Sequence, residues 1–329
     1  MSRAQALALA LSAGLLALLA LWALTVGAAD TSLGEAARAL WSPGADRTEL
    51  VVRGVRLPRV IAALAVGGAL GAAGAIMQAA TGNPLAEPGL LGVNAGAAFA
   101  VVVALAFLGI TATGTLVWAA FAGAAAAAAL VFALGSAGRS GPTPVKLTLA
   151  GVAVTTFLGA LALSVLIFDA RTLETVRLWT AGSLAGRRME DVRPVLPWLL
   201  GALAVALVSA RQFTTLSLGA EAARALGQSP ALWRGVAAVL VVGLAGSAVA
   251  LAGPIGFVGL AAPHAARLTL GPDYRRILPF AVAGGAGLTL LADTLPRAVW
   301  GRDVPVGVTL ALVGAPFFVW LARRGTVRG

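Results

Sequence analysis

Long apolar runs separated by short polar breaks dominate the chain. Uncharged stretches of about twenty residues signal a membrane-crossing helix. They occur at 4–29, 60–80, a double-length run 88–138 divided near 109–114, 147–168 and 194–210. The run 235–263 is too long for one helix and short for two. Gly253-Pro254 breaks it, which predicts spans at about 231–252 and 254–270. Runs at 277–292 and 304–322 complete about ten predicted helices in one all-α membrane domain, residues 1–329. The first run follows Arg3 and ends in VGAA (26–29), features shared with a cleaved signal peptide. Its apolar core is longer than a typical signal h-region, which favours a retained helix.

Composition agrees with this pattern. Hydrophobic residues make up 59% of the 329 and charged residues 11%, against roughly a quarter charged in a soluble domain. No cysteine is present and His264 is the single histidine, which argues against disulfides, thiolate chemistry and a metal centre carried by this chain. The one lysine, Lys146, lies in GPTPVKLT, which does not match the phosphate-binding loop G-x-x-x-x-G-K-[ST]. ATP hydrolysis therefore has to come from another chain. The net charge of +11 comes from arginines scattered between apolar runs, without the basic stripe of a nucleic-acid-binding protein. The 24 basic residues divide evenly between the two sides of a ten-span bundle, so the positive-inside rule gives no orientation, while acids crowd the side opposite the N-terminus.

Carboxylates and histidines buried in spans mark proton and ion pathways. Here only Asp293, at the end of span nine, and Glu87, between spans two and three, come close. A proton-driven carrier or a channel is the competing reading, and it has little chemistry to work with. A membrane-embedded enzyme would need a clustered nucleophile or metal set, and none is apparent.

GNPLAEPGLLGVNAG (82–96) interrupts the apolar pattern with two prolines, which stop a helix. Two readings remain open for it. Either Asn83 sets an amide at the mouth of a pathway with Leu85 as an apolar plug, or the segment is a hairpin whose Asn and Glu cap helix ends. LSLGAEAARALGQSP (216–230) predicts a short, small-faced helix bounded by Gly219 and Gly227, suited to docking in a groove of another protein or to lying on the lipid surface. His264 and Arg267 are close to one helical turn apart. Arg53, Arg56 and Arg59, three apart, would form one cationic ridge if helical, suited to carboxylate partners or to snorkelling. Gly67/Gly71 and Gly92/Gly96 have the spacing that lets helices approach closely, most simply within one bundle.

RLPR (56–59), Gln78 with NPLAEPGLLGVNAGA (83–97), KLTLAGVA (146–153), LWTAGSLAG (178–186), LSLGAEAARALG (216–227), GPIGFVGLAAPHAARL (253–268), LAD (291–293) and PVGVTLALVGAPFFVWLARR (305–324) follow one another in order. Together they resemble the FecCD-type permeases, the type II ABC importer subunits for ferric siderophores, haem and cobalamin, with wording most similar to the ferric-enterobactin kind. The resemblance implies a permease fold of ten helices in the bacterial cytoplasmic membrane with both termini cytoplasmic. It implies two copies of a cytoplasmic ABC ATPase carrying the ATP and Mg, an extracytoplasmic substrate-binding protein, and a second permease subunit, a related chain favoured over an identical one. It implies no cofactor, metal or catalytic residue on this chain. Residue by residue, Asn83, Leu85, Gln78 and Asn94 fall at the pathway and cytoplasmic gate. Leu218, Gly219, Glu221, Ala222, Arg224, Ala225, Leu226 and Gly227 form the loop that couples to the ATPase. His264 and Arg267 make a secondary cytoplasmic contact, and Arg56, Arg59 and Arg297 dock the binding protein. The sequence departs from the family at GRDVP (301–305), where a glutamate is commoner before the proline.

Overall fold

The computed structural model describes residues 3–27, 31–41, 46–137 and 143–325, the side chains of 3, 4, 6, 144, 178 and 317–325 excepted. Ala28 and Ala29 of the VGAA stretch, and Arg139 and Arg328 of the charge count, lie outside the described residues. Every regular element among the described residues is a helix. Apart from the single turns Pro88–Leu91 and Met189–Val192, in chain order these are α1 (Arg3–Thr25), α2 (Leu33–Trp41), α3 (Arg47–Thr81), α4 (Val93–Ala106), α5 (Thr113–Ser136), α6 (Pro144–Leu166) and α7 (Ala170–Thr180). Then follow α8 (Leu196–Val208), α9 (Ala210–Ser217), α10 (Ala220–Ala225), α11 (Pro230–Ala252), α12 (Val258–Leu270), α13 (Tyr274–Trp300) and α14 (Val306–Gly325).

All ten predicted spans are helical. Six of them (α1, α3, α5, α6, α11 and α13) are long and apolar enough to cross a membrane unaided, and α8 with α9, bent by 59°, makes a seventh. The remaining three spans are α4, α12 and α14. With 14 and 13 residues, α4 and α12 rise only about 20 Å, short of a hydrocarbon core of roughly 30 Å. Their connecting loops therefore enter membrane depth, where irregular backbone must be covered by protein. The break at Gly253-Pro254 falls where the sequence places it, between α11 and α12. Pro230 opens α11 behind the Ser229 N-cap, whose hydroxyl accepts the Leu232 N–H.

Nearly every residue of α3 from Pro58 to Ala79 is buried. Lipid tails give helices no hydrophobic reason to associate, so close packing of small residues must supply the attraction. Gly67 and Gly71 face the carbonyls of Gly285 and Ala281 on the antiparallel α13, and Gly74 lies under Gly259 of α12, all too close for any Cβ. Gly96 of α4 meets Gly123 of α5 in the same way. Gly67, Gly71 and Gly96 thus serve packing inside the bundle, whereas Gly92, at φ 71°, is the left-handed residue that precedes α4. Around this centre, α1 and α6 turn most of their surface outward, with Leu7, Leu11, Leu15, Val152 and Phe157 among the exposed apolar side chains.

Candidate functional site

Arg59, near the start of the buried part of α3, donates from Nε to Asp293 Oδ2 and from Nη2 to Oδ1, each at 2.9 Å. The Asp293 side chain, 1% exposed, also accepts from Arg297 Nη2 at 2.8 Å. Arg59 Nη1 reaches Asp303 at 2.8 Å, in the turn between α13 and α14. One buried carboxylate thus serves two guanidiniums, which is how charge survives inside a bundle. Arg56 Nη1 donates to the carbonyls of Leu24 (2.7 Å) and Thr25 (3.0 Å), and Arg297 Nη1 to that of Val26 (3.3 Å). Carbonyls that α1 leaves unsatisfied at its C-terminal end are met by cations.

The expected ridge of Arg53, Arg56 and Arg59 does not form. The segment is helical, but Val52–Arg56 is a π-helical stretch, and its wider turn breaks the three-residue register. Arg53 turns to the backbone carbonyls of Ala39 and Leu40, Arg56 to α1 and Arg59 to α13. Arg56 and Arg59 are buried. With Arg297 they border a cavity of about 420 Å³, whose rim adds Arg47, Arg302 and Asp303. The structure therefore brings Arg56, Arg59 and Arg297 together, as the walls of a cationic pocket.

Nineteen residues further along each helix lies a second polar clamp. Arg267 Nη2 donates to Gln78 Oε1 at 2.8 Å and to the Tyr274 hydroxyl at 2.9 Å. From Arg59 to Gln78 on α3, and from Tyr274 to Asp293 on α13, the rise is about 28 Å, close to the hydrocarbon thickness. The central helix pair is thus clamped once near each membrane face. Gln78 is 2% exposed and its Nε2 has no partner, so it sits inside the bundle and not at an open pathway mouth. Arg267 is half-buried, with Nη2 turned to Gln78 and Tyr274, and His264 is half-buried with Nε2 unpartnered.

The interruption after α3 begins at Gly82, left-handed at φ 65°, the usual way to end a helix. Asn83 Oδ1 accepts the Leu85 N–H at 2.9 Å, a turn that displays Asn83 and Leu85 outward, with Leu85 50% exposed. Glu87 caps no helix with its side chain. Its carboxylate accepts the backbone N–H of Phe257, just before α12. Phe257 has a φ of 74° and centres a tight turn in which the Val258 N–H donates to Gly256 O at 2.9 Å. A non-glycine residue held there carries backbone strain, which persists only where packing enforces it. Its ring occupies the place a side chain at Gly314 would need. Asn94, half-buried in the first turn of α4, lies beside Gly89 in the same interruption.

At the clamp end of α13, Asp273 caps the helix through the Arg275 N–H and accepts from the Thr214 hydroxyl at 3.2 Å. Hydrogen bonds from the Arg275 side chain hold its carboxyl below the ordinary range. Thr214 belongs to α9, which leads into the 218–227 segment. There α10 is a six-residue helix with Glu221 and Arg224 exposed and Ala223 buried. Leu218 and Leu226 flank it, 60% and 66% exposed. The sequence marks Arg59, Arg297 and Asp293 separately but not their union through the one carboxylate, and it marks neither Tyr274 nor Phe257. The signal available for that union was a lone acid at the end of an apolar span, which requires a counter-ion.

A polytopic helical bundle with a buried glycine-rich hub, clamped at both faces and carrying a small protruding helix, is the architecture of a transport subunit. The chain belongs to the FecCD transport family, which matches residues 15–324. It is 43% identical over 300 residues to the "Probable siderophore transport system permease protein YfiZ" of Bacillus subtilis (strain 168), covering 91% of this chain and 90% of that protein. It is 42% identical over 279 residues to the ferric enterobactin transport system permease protein FepD of Escherichia coli (strain K12), covering 85% and 84%. A solved structure described as an inward-facing conformation of a metal-chelate type ABC transporter superposes with a TM-score of 0.84 at 29% identity, covering 96% of this chain and 98% of the other. The protein is a multi-pass permease subunit of an ABC importer of this family, with the type II importer permease fold.

Proposed function

We propose that the chain forms half of the translocation path of an importer that moves a ferric siderophore, with ATP and Mg held by two copies of a partner ATPase and no cofactor of its own. The carrying observation is the polarity of the two ends of the α3–α13 pair. At one end the 218–227 segment protrudes with small residues and two exposed leucines, a shape that fits a groove in an ATPase. At the other, arginines surround an open cavity fitted to acidic side chains of an extracytoplasmic binding protein. The protruding end is then cytoplasmic, as are both termini. Asn83 and Leu85 form the cytoplasmic gate, and Asn94 lines the approach to it. A related second permease completes the path. Likeness to siderophore permeases at 42–43% identity supports the cargo class.

The test is ATP-dependent uptake into vesicles carrying the full transporter, offered a ferric siderophore, haem and cobalamin in competition. Preferential uptake of the ferric chelate is expected. Preference for haem or cobalamin would overturn the cargo assignment.

A further inference from the structure

We propose that Arg267 is a positioning residue that ties the 218–227 segment to the Asn83–Leu85 turn. The proposal rests on the importer reading of that segment. Each link is a hydrogen bond between elements far apart in sequence. Gln228 Nε2, just past the segment, donates to Gln212 O at 2.9 Å, fastening the far end of the protrusion back onto α9. The segment and α9 are therefore held as one body. On α9, Thr214 Oγ1 accepts the Tyr274 N–H at 2.9 Å, and its hydroxyl bonds Asp273 at 3.2 Å, which joins α9 to the start of α13. The Tyr274 hydroxyl accepts from Arg267 Nη2 of α12, and the same nitrogen donates to Gln78 Oε1 of α3. Gln78 lies one helical turn before Thr81, whose Oγ1 accepts the Asn83 N–H at 3.3 Å.

Arg267 is the hub of this chain of contacts. One nitrogen serves α3 and α13 together, and its guanidinium also lies 6.0 Å from the centre of the Tyr274 ring. Gln78 and Tyr274 are each 2% exposed, so water does not readily replace these bonds. Hydrogen bonds from a charged donor are the stronger kind. A displacement of the protruding segment is thereby felt at the end of α3, beside the exposed turn. Coupling of this kind needs an element with two arrangements, and the Asn83–Leu85 turn, held by side-chain hydrogen bonds at the bundle surface, is suited to be that element.

The experiment measures cargo moved per ATP hydrolysed by the complete transporter in vesicles. Its variants are Arg267→Gln, Gln78→Leu, Gln78→Glu and the Arg267→Gln/Gln78→Leu double variant. Arg267→Gln and Gln78→Leu should each lower the ratio by about fivefold or more, the lower end of site-to-site coupling, while hydrolysis continues. Gln78→Glu, which keeps the acceptor, should restore most of the ratio. The double variant should be no worse than either single, because both remove one link. An unchanged ratio in the single variants, or losses that multiply in the double, would overturn the proposal. Where Gln78→Leu fails to fold, Gln78→Asn decides by the same criterion, since it keeps the amide but withdraws its oxygen by one methylene. If the unaltered transporter shows no ATP-dependent uptake, the importer reading itself fails, which is a separate result.

Discussion

Replacing Asp293 by Asn keeps the volume of the side chain and removes its charge. Arg59 loses the anionic partner of two donors and Arg297 the partner of one, at 2.8–2.9 Å, and both side chains are less than a tenth exposed. Two guanidiniums would then be left in the bundle with Asp303 as their nearest carboxylate, itself 58% exposed and held mainly by Arg59. Removing one partner of a buried pair costs about 3–5 kcal/mol, far above the roughly 0–1 kcal/mol of an exposed pair. The same change loosens Arg297, which holds the Val26 carbonyl at the end of α1. The assay is unfolding of the purified chain in mixed micelles with increasing dodecyl sulfate, followed by tryptophan fluorescence. Asp293→Asn should shift the transition by several kcal/mol, and the Arg59→Gln/Asp293→Asn double variant should cost clearly less than the sum of the singles. A loss below about 1 kcal/mol for Asp293→Asn would refute the idea that this carboxylate anchors the two helices.

Glu221→Arg reverses the exposed charge on α10 and should lower cargo moved per ATP roughly tenfold, the effect of losing about 1.4 kcal/mol at an interface. Unchanged coupling would sink the docking role. Gly67→Val places a branched side chain against the Gly285 carbonyl and Thr289 Oγ1, so the variant should fail to yield a monodisperse protein, whereas Gly159→Val, with open space around it, should yield one. Because the folded-state value for Asp273 is depressed, its stabilising contribution is complete above the ordinary carboxylate value of about 3.9 and is lost as pH falls through the lower folded value. Spectroscopic titration should therefore show Asp273 taking up its proton at lower pH than an unstructured aspartate, and protonation at the ordinary value or above would contradict the assigned hydrogen bonds.

Local signals in the sequence located the helices well. Uncharged length gave the spans, Gly253-Pro254 the break between α11 and α12, and Pro230 with Gly219 and Gly227 the limits of the protruding segment. Pairings across the bundle were much harder to read. Asp293 and Arg59 are 234 positions apart, and nothing in the period of either helix says that they meet. Three-residue spacing makes Arg53, Arg56 and Arg59 one ridge only in an α-helical register, and the π-helical stretch Val52–Arg56 sends them to three partners. The positive φ of Phe257 is imposed by its surroundings and leaves no mark in composition. Gln78 and Arg267 were visible as polar residues near span ends, but their inward direction depends on Tyr274, supplied by a different helix.

Transport by this chain through another subunit's ATP hydrolysis is the central claim, and flux into sealed vesicles tests it most directly. The chain is reconstituted alone, then with its permease partner, ATPase and loaded binding protein. Uptake that appears only with the full set and with ATP is the predicted result. Robust ATP-independent flux through this chain alone would contradict the account.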